Sequence, residues 1–152
     1  MLGKHVAITG PTAGIGRHTA LELATRGAQL TLFCRNEQKA EALQQDIVAV
    51  SGTSPRVIIM DMADLSSVRR AAGEFMALDS PLDVLLNNAG VINTTRRETV
   101  DGFEETLAVN HFAPFLLTGM LLPALQRAPR ARIVNVASDA HRFARDMGFE
   151  DM

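Results

Sequence analysis

Short runs of β-branched and aliphatic residues alternate along this chain with longer segments whose apolar residues recur every three or four positions. Few folds accept that alternation, because it is the pattern of βαβ units joined into a parallel sheet. Strands are predicted over 5–9, 29–34, 56–60, 83–87 and 132–137. Most are unbroken apolar runs, as a sheet covered on both faces requires. A first helix over 15–26 follows a glycine turn. Asn36 caps a second, with Ala40, Leu43, Ile47 and Val50 on one face, and Gly52 and Pro55 end it. Ser66 caps a third, carrying Val68, Ala72, Phe75 and Met76. Asp101 and Glu104 make an acidic variant of the capping box before a long fourth helix, which Pro114 should kink.

Right-handed crossovers then give a doubly wound α/β sheet of the Rossmann type, in the order 3-2-1-4-5, with a crevice at the carboxyl ends of strands one and four. Such a sheet would be incomplete on its C-terminal side, leaving strand five as an apolar edge. The turn Thr9-Gly10-Pro11-Thr12-Ala13-Gly14-Ile15-Gly16 lies between strand one and helix one, where a pyrophosphate could rest on the free N–H groups of the helix. Gly10 permits a sharp turn, Gly14 a close ligand and Gly16 close helix packing. The spacing is G-x3-G-x-G, so taken alone it is equally an ordinary strand-to-helix loop. Strand two ends in Cys34-Arg35-Asn36 with no carboxylate where NAD binders place one; the Arg35 fork suits a 2′-phosphate, favouring NADP over NAD. A solvated charge beside Lys39 is the plainer alternative.

Composition narrows the partners. Fifteen Lys and Arg against 17 Asp and Glu, a net charge of -2, give no basic stripe for nucleic acid and no field for a membrane surface. The single Cys34 reads as a small buried hydrophobe and, with no leader-like opening, predicts a reducing, cytoplasmic setting. The most apolar stretch, 112–125, is broken by Pro114, Gly119 and Pro123 and is shorter than the roughly 20 residues of a membrane span. No span is predicted. His5, His18 and His111 have no metal spacing, and His141 reads as loop, in a segment (139–152) without clear period.

Together these motifs resemble the short-chain dehydrogenase/reductase family, most of all its retinol dehydrogenase and WW-domain oxidoreductase branch. Residues 9–16 match TGxxxGxG, Asp61 the acidic residue after strand three, Asn87-Asn88-Ala89-Gly90 the NNAG motif, and Asn110 the Asn of the long fourth helix. The branch features are Cys34-Arg35-Asn36, Val109-Asn110-His111-Phe112, Phe115-Leu116-Leu117-Thr118 and the run 132–138 with His141. The resemblance implies a cofactor site of Thr9, Gly10, Thr12, Gly14, Ile15, Gly16, Arg35, Asn36, Asp61, Met62, Asn88, Ala89 and Gly90. Asp61 would hold the adenine amino group, with a backbone contact from Met62. It implies catalytic roles for Asn110, whose surroundings hold a proton-relay water, and for Ser138, which holds and polarises a substrate carbonyl. A carbonyl or alcohol substrate and a possible homo-oligomer paired through long helices follow from the same likeness. Ala137 departs from the branch, which often has a second Ser there.

The family's proton donor is a Tyr, with a Lys one helical turn later. This chain has no Tyr, and its only lysines are Lys4 and Lys39. Residues 1–152 are therefore expected to form one dinucleotide-binding domain that stops before the Tyr-x-x-x-Lys segment and is inactive alone. Three readings stay open: the cofactor-binding half of an NADP-dependent oxidoreductase, a non-catalytic dinucleotide sensor, and a module that pairs with another chain.

Overall fold

Five parallel strands stand in the order β3-β2-β1-β4-β5: β1 (His5–Thr9), β2 (Gln29–Cys34), β3 (Arg56–Ile59), β4 (Val84–Asn87) and β5 (Arg132–Asn135). This is the doubly wound order expected. The computed structural model describes residues 1–139 and 142, so His141 and most of the segment 139–152 lie outside the described residues. Alternate residues of the strands feed two cores. Val6, Ile8, Leu30, Leu32 and Leu86 face α1 (Gly14–Thr25) and α2 (Glu37–Ser51), whereas Ala7, Phe33, Ile58 and Leu85 face α3 (Leu65–Met76) and α5 (Ala113–Gln126). Phe75 of α3 is 0% exposed, with its ring 6.2 Å from that of Phe33 and 5.3 Å from that of His5. β5 is exposed along its whole length, with Ile133 and Val134 left 43% and 42% open.

Several local expectations change. Asp64, not Ser66, caps α3, its Oδ1 accepting from the N–H groups of Ser66 and Ser67 at 2.8 and 3.1 Å. The Ser66 hydroxyl instead donates to the same oxygen. Asp101 takes no part in a capping box: its Oδ2 accepts from the Leu65 N–H of α3, and Glu104 alone caps α4 (Glu105–Leu107) through Thr106 and Leu107. Val50 is 51% exposed and leaves the buried face to Ala40, Leu43 and Ile47.

The disruption expected at Pro114 takes the form of a π turn immediately before it. A π turn over Ala108–Phe112 joins α4 to α5, and Pro114 falls in the first turn of α5. A first turn needs no N–H from it, and the wide preceding turn absorbs the ring. α4, the π turn and α5 together make one helix over Glu105–Gln126, with Pro123 inside it, and its most apolar 18 residues have a mean hydropathy of 1.4. By length and composition it is sufficient to cross a membrane, a test that the core helix of a water-soluble domain also passes. Its inner face, Ala113, Leu117, Leu121 and Ala124, is fully buried against the sheet and α3.

At the amino end of the sheet, Asp83 accepts from Lys4 Nζ at 2.7 Å and from the His5 N–H at 3.0 Å, which places it just outside β4. Burial raises the Asp83 pKa, but the bonds from Lys4 and His5 outweigh it and hold the carboxyl below its ordinary value. Burial likewise pushes His5 below its ordinary 6.5. In both cases the native state binds protons less readily than the unfolded chain, so stability is present at neutral pH and lost on acidification. The His5 contribution fades as pH falls from 6.5 through its folded value, and that of Asp83 only below 3.8. Thermal melts from pH 7 downward should fall steadily, and His5→Gln should flatten the upper part of that slope. An unchanged slope in the variant would remove His5 as its source.

Candidate active-site crevice

The turn from β1 into α1 begins at Gly10, where an added Cβ would lie 2.9 Å from the Ala89 Cα, so the two loops of the crevice touch through a missing side chain. Gly16 is held as tightly, its position closed by Asn88 Nδ2 at 2.4 Å and the Gly10 carbonyl at 2.5 Å from an added Cβ. Gly14 differs. Its φ is +51°, an added Cβ would meet nothing within 4 Å, and the residue is exposed on the crevice lining. Ala13 occupies the N-cap without any side-chain bond, and no acidic residue sits in the first turn of α1. The first N–H groups of that helix, and the positive end of its dipole, are thus turned into the crevice uncapped.

The crevice has a volume of about 510 Å³. It brings together every expected cofactor residue except Thr9: Gly10, Thr12, Gly14, Ile15 and Gly16 from the turn, Arg35 and Asn36 after β2, Asp61 and Met62 after β3, and Asn88, Ala89 and Gly90 after β4. Thr9 is fully buried, and its Oγ1 accepts from the N–H groups of Asn88 and Ala89 at 3.0 and 2.9 Å. It shapes the crevice from beneath and offers nothing to a ligand. Asn88 returns the bond, Nδ2 donating to the carbonyls of Thr9 and Gly10.

One rim is cationic. Arg35 is exposed with no ion-pair partner among the described residues, and Lys39, one turn into α2, lines the same wall. The side chain of Asn36 caps α2 by accepting from the Lys39 N–H at 2.9 Å. Lys39 was not singled out from sequence as a site residue, because Arg35 precedes the N-cap Asn36 and helical spacing does not tie the two cations together. Asp61 Oδ1 accepts from the Ala63 N–H at 2.9 Å, which fixes the turn after β3. Val91, Glu105, Val109 and Val136 also line the crevice and were missed, since each reads in sequence as ordinary core or surface.

The two expected catalytic residues lie beside this lining. Asn110, in the π turn, accepts from the Val91 N–H through Oδ1 and donates to the Val91 carbonyl through Nδ2, both at 2.8 Å. Its amide is thereby a clamp on the loop after β4. Ser138 follows β5 on the exposed side, while Val136, two residues earlier, reaches the crevice wall. Behind both, Asn87 Nδ2 donates to Asn135 Oδ1 and Thr118 Oγ1 at 2.8 and 3.2 Å, joining β4, β5 and α5.

Comparison with known proteins agrees with this geometry. A family model described as short chain dehydrogenase matches residues 4–148. Human retinol dehydrogenase 11 is 43% identical over 144 residues, covering 94% of this chain and 45% of the relative. Retinol dehydrogenase 12 of Bos taurus is 42% identical over 153 residues, covering 100% and 48%. A short chain dehydrogenase from Shigella flexneri complexed with NADP superposes with TM-score 0.84 at 27% identity, covering 95% of this chain and 63% of that one. The chain spans about half the length of the curated relatives it matches. A glycine turn meeting an Asn-Asn-Ala-Gly loop at the switch point of a 3-2-1-4-5 sheet, matched over nearly the whole sequence, makes this chain a member of the short-chain dehydrogenase family, in its retinol dehydrogenase-like branch.

Proposed function

We propose that the chain binds NADP(H) in this crevice and is the cofactor-binding part of an oxidoreductase acting on a small carbonyl or alcohol. The observation that carries the reading is the uncapped start of α1 beside Gly14, with Arg35 and Lys39 lining the same crevice and without an ion-pair partner among the described residues. Pyrophosphate would lie on the helix N–H groups, and the 2′-phosphate between the guanidinium and the ammonium. Met62, Ala89 and Gly90 offer a wall without bulky polar groups for the rings, with Asp61 at the adenine end. When bound, the cofactor supplies the hydride. Ser138 would hold the substrate oxygen, and Asn110 would help to hold a water on the proton path. The Tyr that the family likeness implies as proton donor is not among residues 1–152, which contain no Tyr. The names of the retinol dehydrogenase relatives support a lipophilic alcohol or aldehyde as substrate. A cytoplasmic setting suits the buried Cys34 thiol, which burial pushes up to about 12. Pairing of two copies is supported by Phe115 and Leu122 on the outward face of α5, 76% and 42% exposed.

Titration with NADPH and NADH tests the proposal, read from the enhancement of cofactor fluorescence in a chain that has no Trp or Tyr. NADPH should bind saturably and at least tenfold more tightly than NADH. Arg35→Asp should cost NADPH about 1.5–3 kcal/mol, the value of a charge-assisted hydrogen bond, and move preference towards NADH. Lys39→Ala should weaken NADPH less. Unchanged NADPH affinity in the Arg35 variant would end the assignment of the 2′-phosphate. The exposed β5 supports a second reading, a module that pairs with another chain, which gains weight only if neither dinucleotide binds.

A further inference from the structure

At the other end of the sheet from the glycine turn, the amino ends of β1, β2 and β3 border a second cleft, of about 700 Å³. Three of its residues form a row across the strands. Thr31 and Arg56 are register partners on β2 and β3, and His5 Nε2 on β1 lies 2.9 Å from Thr31 Oγ1. Two members of the row are already satisfied. His5 Nδ1 lies 3.0 Å from the Pro81 carbonyl, which can only accept, so that nitrogen carries the proton of the neutral ring and Nε2 accepts from the Thr31 hydroxyl. Arg56 is the exception. It is exposed, has no acceptor among the described residues, and shares the cleft with no Asp or Glu. The carboxylates nearest the lining are already paired, Asp79 with Arg127 and Asp83 with Lys4, so Arg56 is the charge the cleft offers. Ser54, whose oxygen accepts from Gln44 Nε2 at 3.1 Å, keeps its own proton to donate. Leu78, from the turn after α3, adds an apolar wall that a bare inorganic anion would leave unfilled.

We propose that this cleft is a second small-molecule site, separate from the dinucleotide crevice, that takes a monocarboxylate with a short apolar tail. The carboxylate sits on the Arg56 fork, which matches its two oxygens, and the tail lies along Leu78.

The test is titration of the chain with sodium acetate, sodium hexanoate and inorganic phosphate at constant ionic strength, read from the His5 ring resonances by NMR. The signals of His18 and His111, remote from the cleft, serve as controls. Hexanoate should shift the His5 signal saturably, with a Kd at least tenfold below that of acetate. Arg56→Gln should raise the hexanoate Kd at least tenfold and leave NADPH affinity unchanged, which separates this site from the crevice. Leu78→Ser should weaken hexanoate and spare acetate. Arg56 opens an edge strand and is exposed, so the variant should fold, as its melting curve will show; if it does not, the Leu78 variant decides by itself. Equal affinities for acetate and hexanoate, phosphate binding more tightly than hexanoate, or hexanoate indifferent to the variant that decides would each overturn the proposal.

Discussion

Gly14→Val is expected to abolish saturable NADPH binding, with affinity falling at least a hundredfold, while the chain remains folded. Gly14 lines the crevice and an added Cβ there meets no protein atom within 4 Å, so on the proposed pose the branched side chain would crowd the pyrophosphate rather than the protein. A φ of +51° does strain a β-branched residue, and about 1–3 kcal/mol of stability should be lost as well. Gly14→Ala is therefore the informative companion, since it carries less bulk at the same φ. Its affinity should be intermediate. Calorimetric titration of both variants beside their melting curves separates the two effects, and undiminished NADPH binding by the valine variant would reject the pose.

Phe75→Ala should have the largest effect on stability, about 3–5 kcal/mol, read as a lowered urea midpoint. The ring is completely buried between Phe33 of β2 and His5 of β1, in a core that also holds Leu82 and Leu85 at 0% exposure. Neighbours on rigid strands cannot close the gap, so the cavity remains. Against the roughly 5–15 kcal/mol of an ordinary domain, that loss would leave much of the population unfolded near physiological temperature. A loss below about 1 kcal/mol would mean that α3 is not fixed to the sheet as described.

Strand order and the two-layer helix arrangement were legible in sequence because aliphatic runs of strand length recur between helical periods, and right-handed crossovers leave little choice of order. Element ends were less legible, for particular reasons. Asp64 and Ser66 both have cap-forming side chains two residues apart, and only the backbone shows that Asp64 holds the extended conformation a cap requires. Asp101 looked like half of a local capping box, yet its partner, the Leu65 N–H, is 36 residues away. Pro114 suggested a kink because nothing in sequence announces a π turn. In the crevice, glycines and the Asn-Asn-Ala-Gly loop could be read directly, since their roles follow from small size. The burial of Thr9 and the Val91 clamp on Asn110 could not, because both depend on which loops the sheet order brings together.

The hydroxyl oxygen of Thr9, taking two amide protons from the loop after β4, has a thermodynamic consequence for anything that enters the crevice. Separating the two walls would strand both donors without water beneath a packed sheet, so the inner lip stays in its binding shape when empty. A guest therefore spends none of its interaction energy on ordering backbone, and loses freedom only in the long side chains of the outer rim.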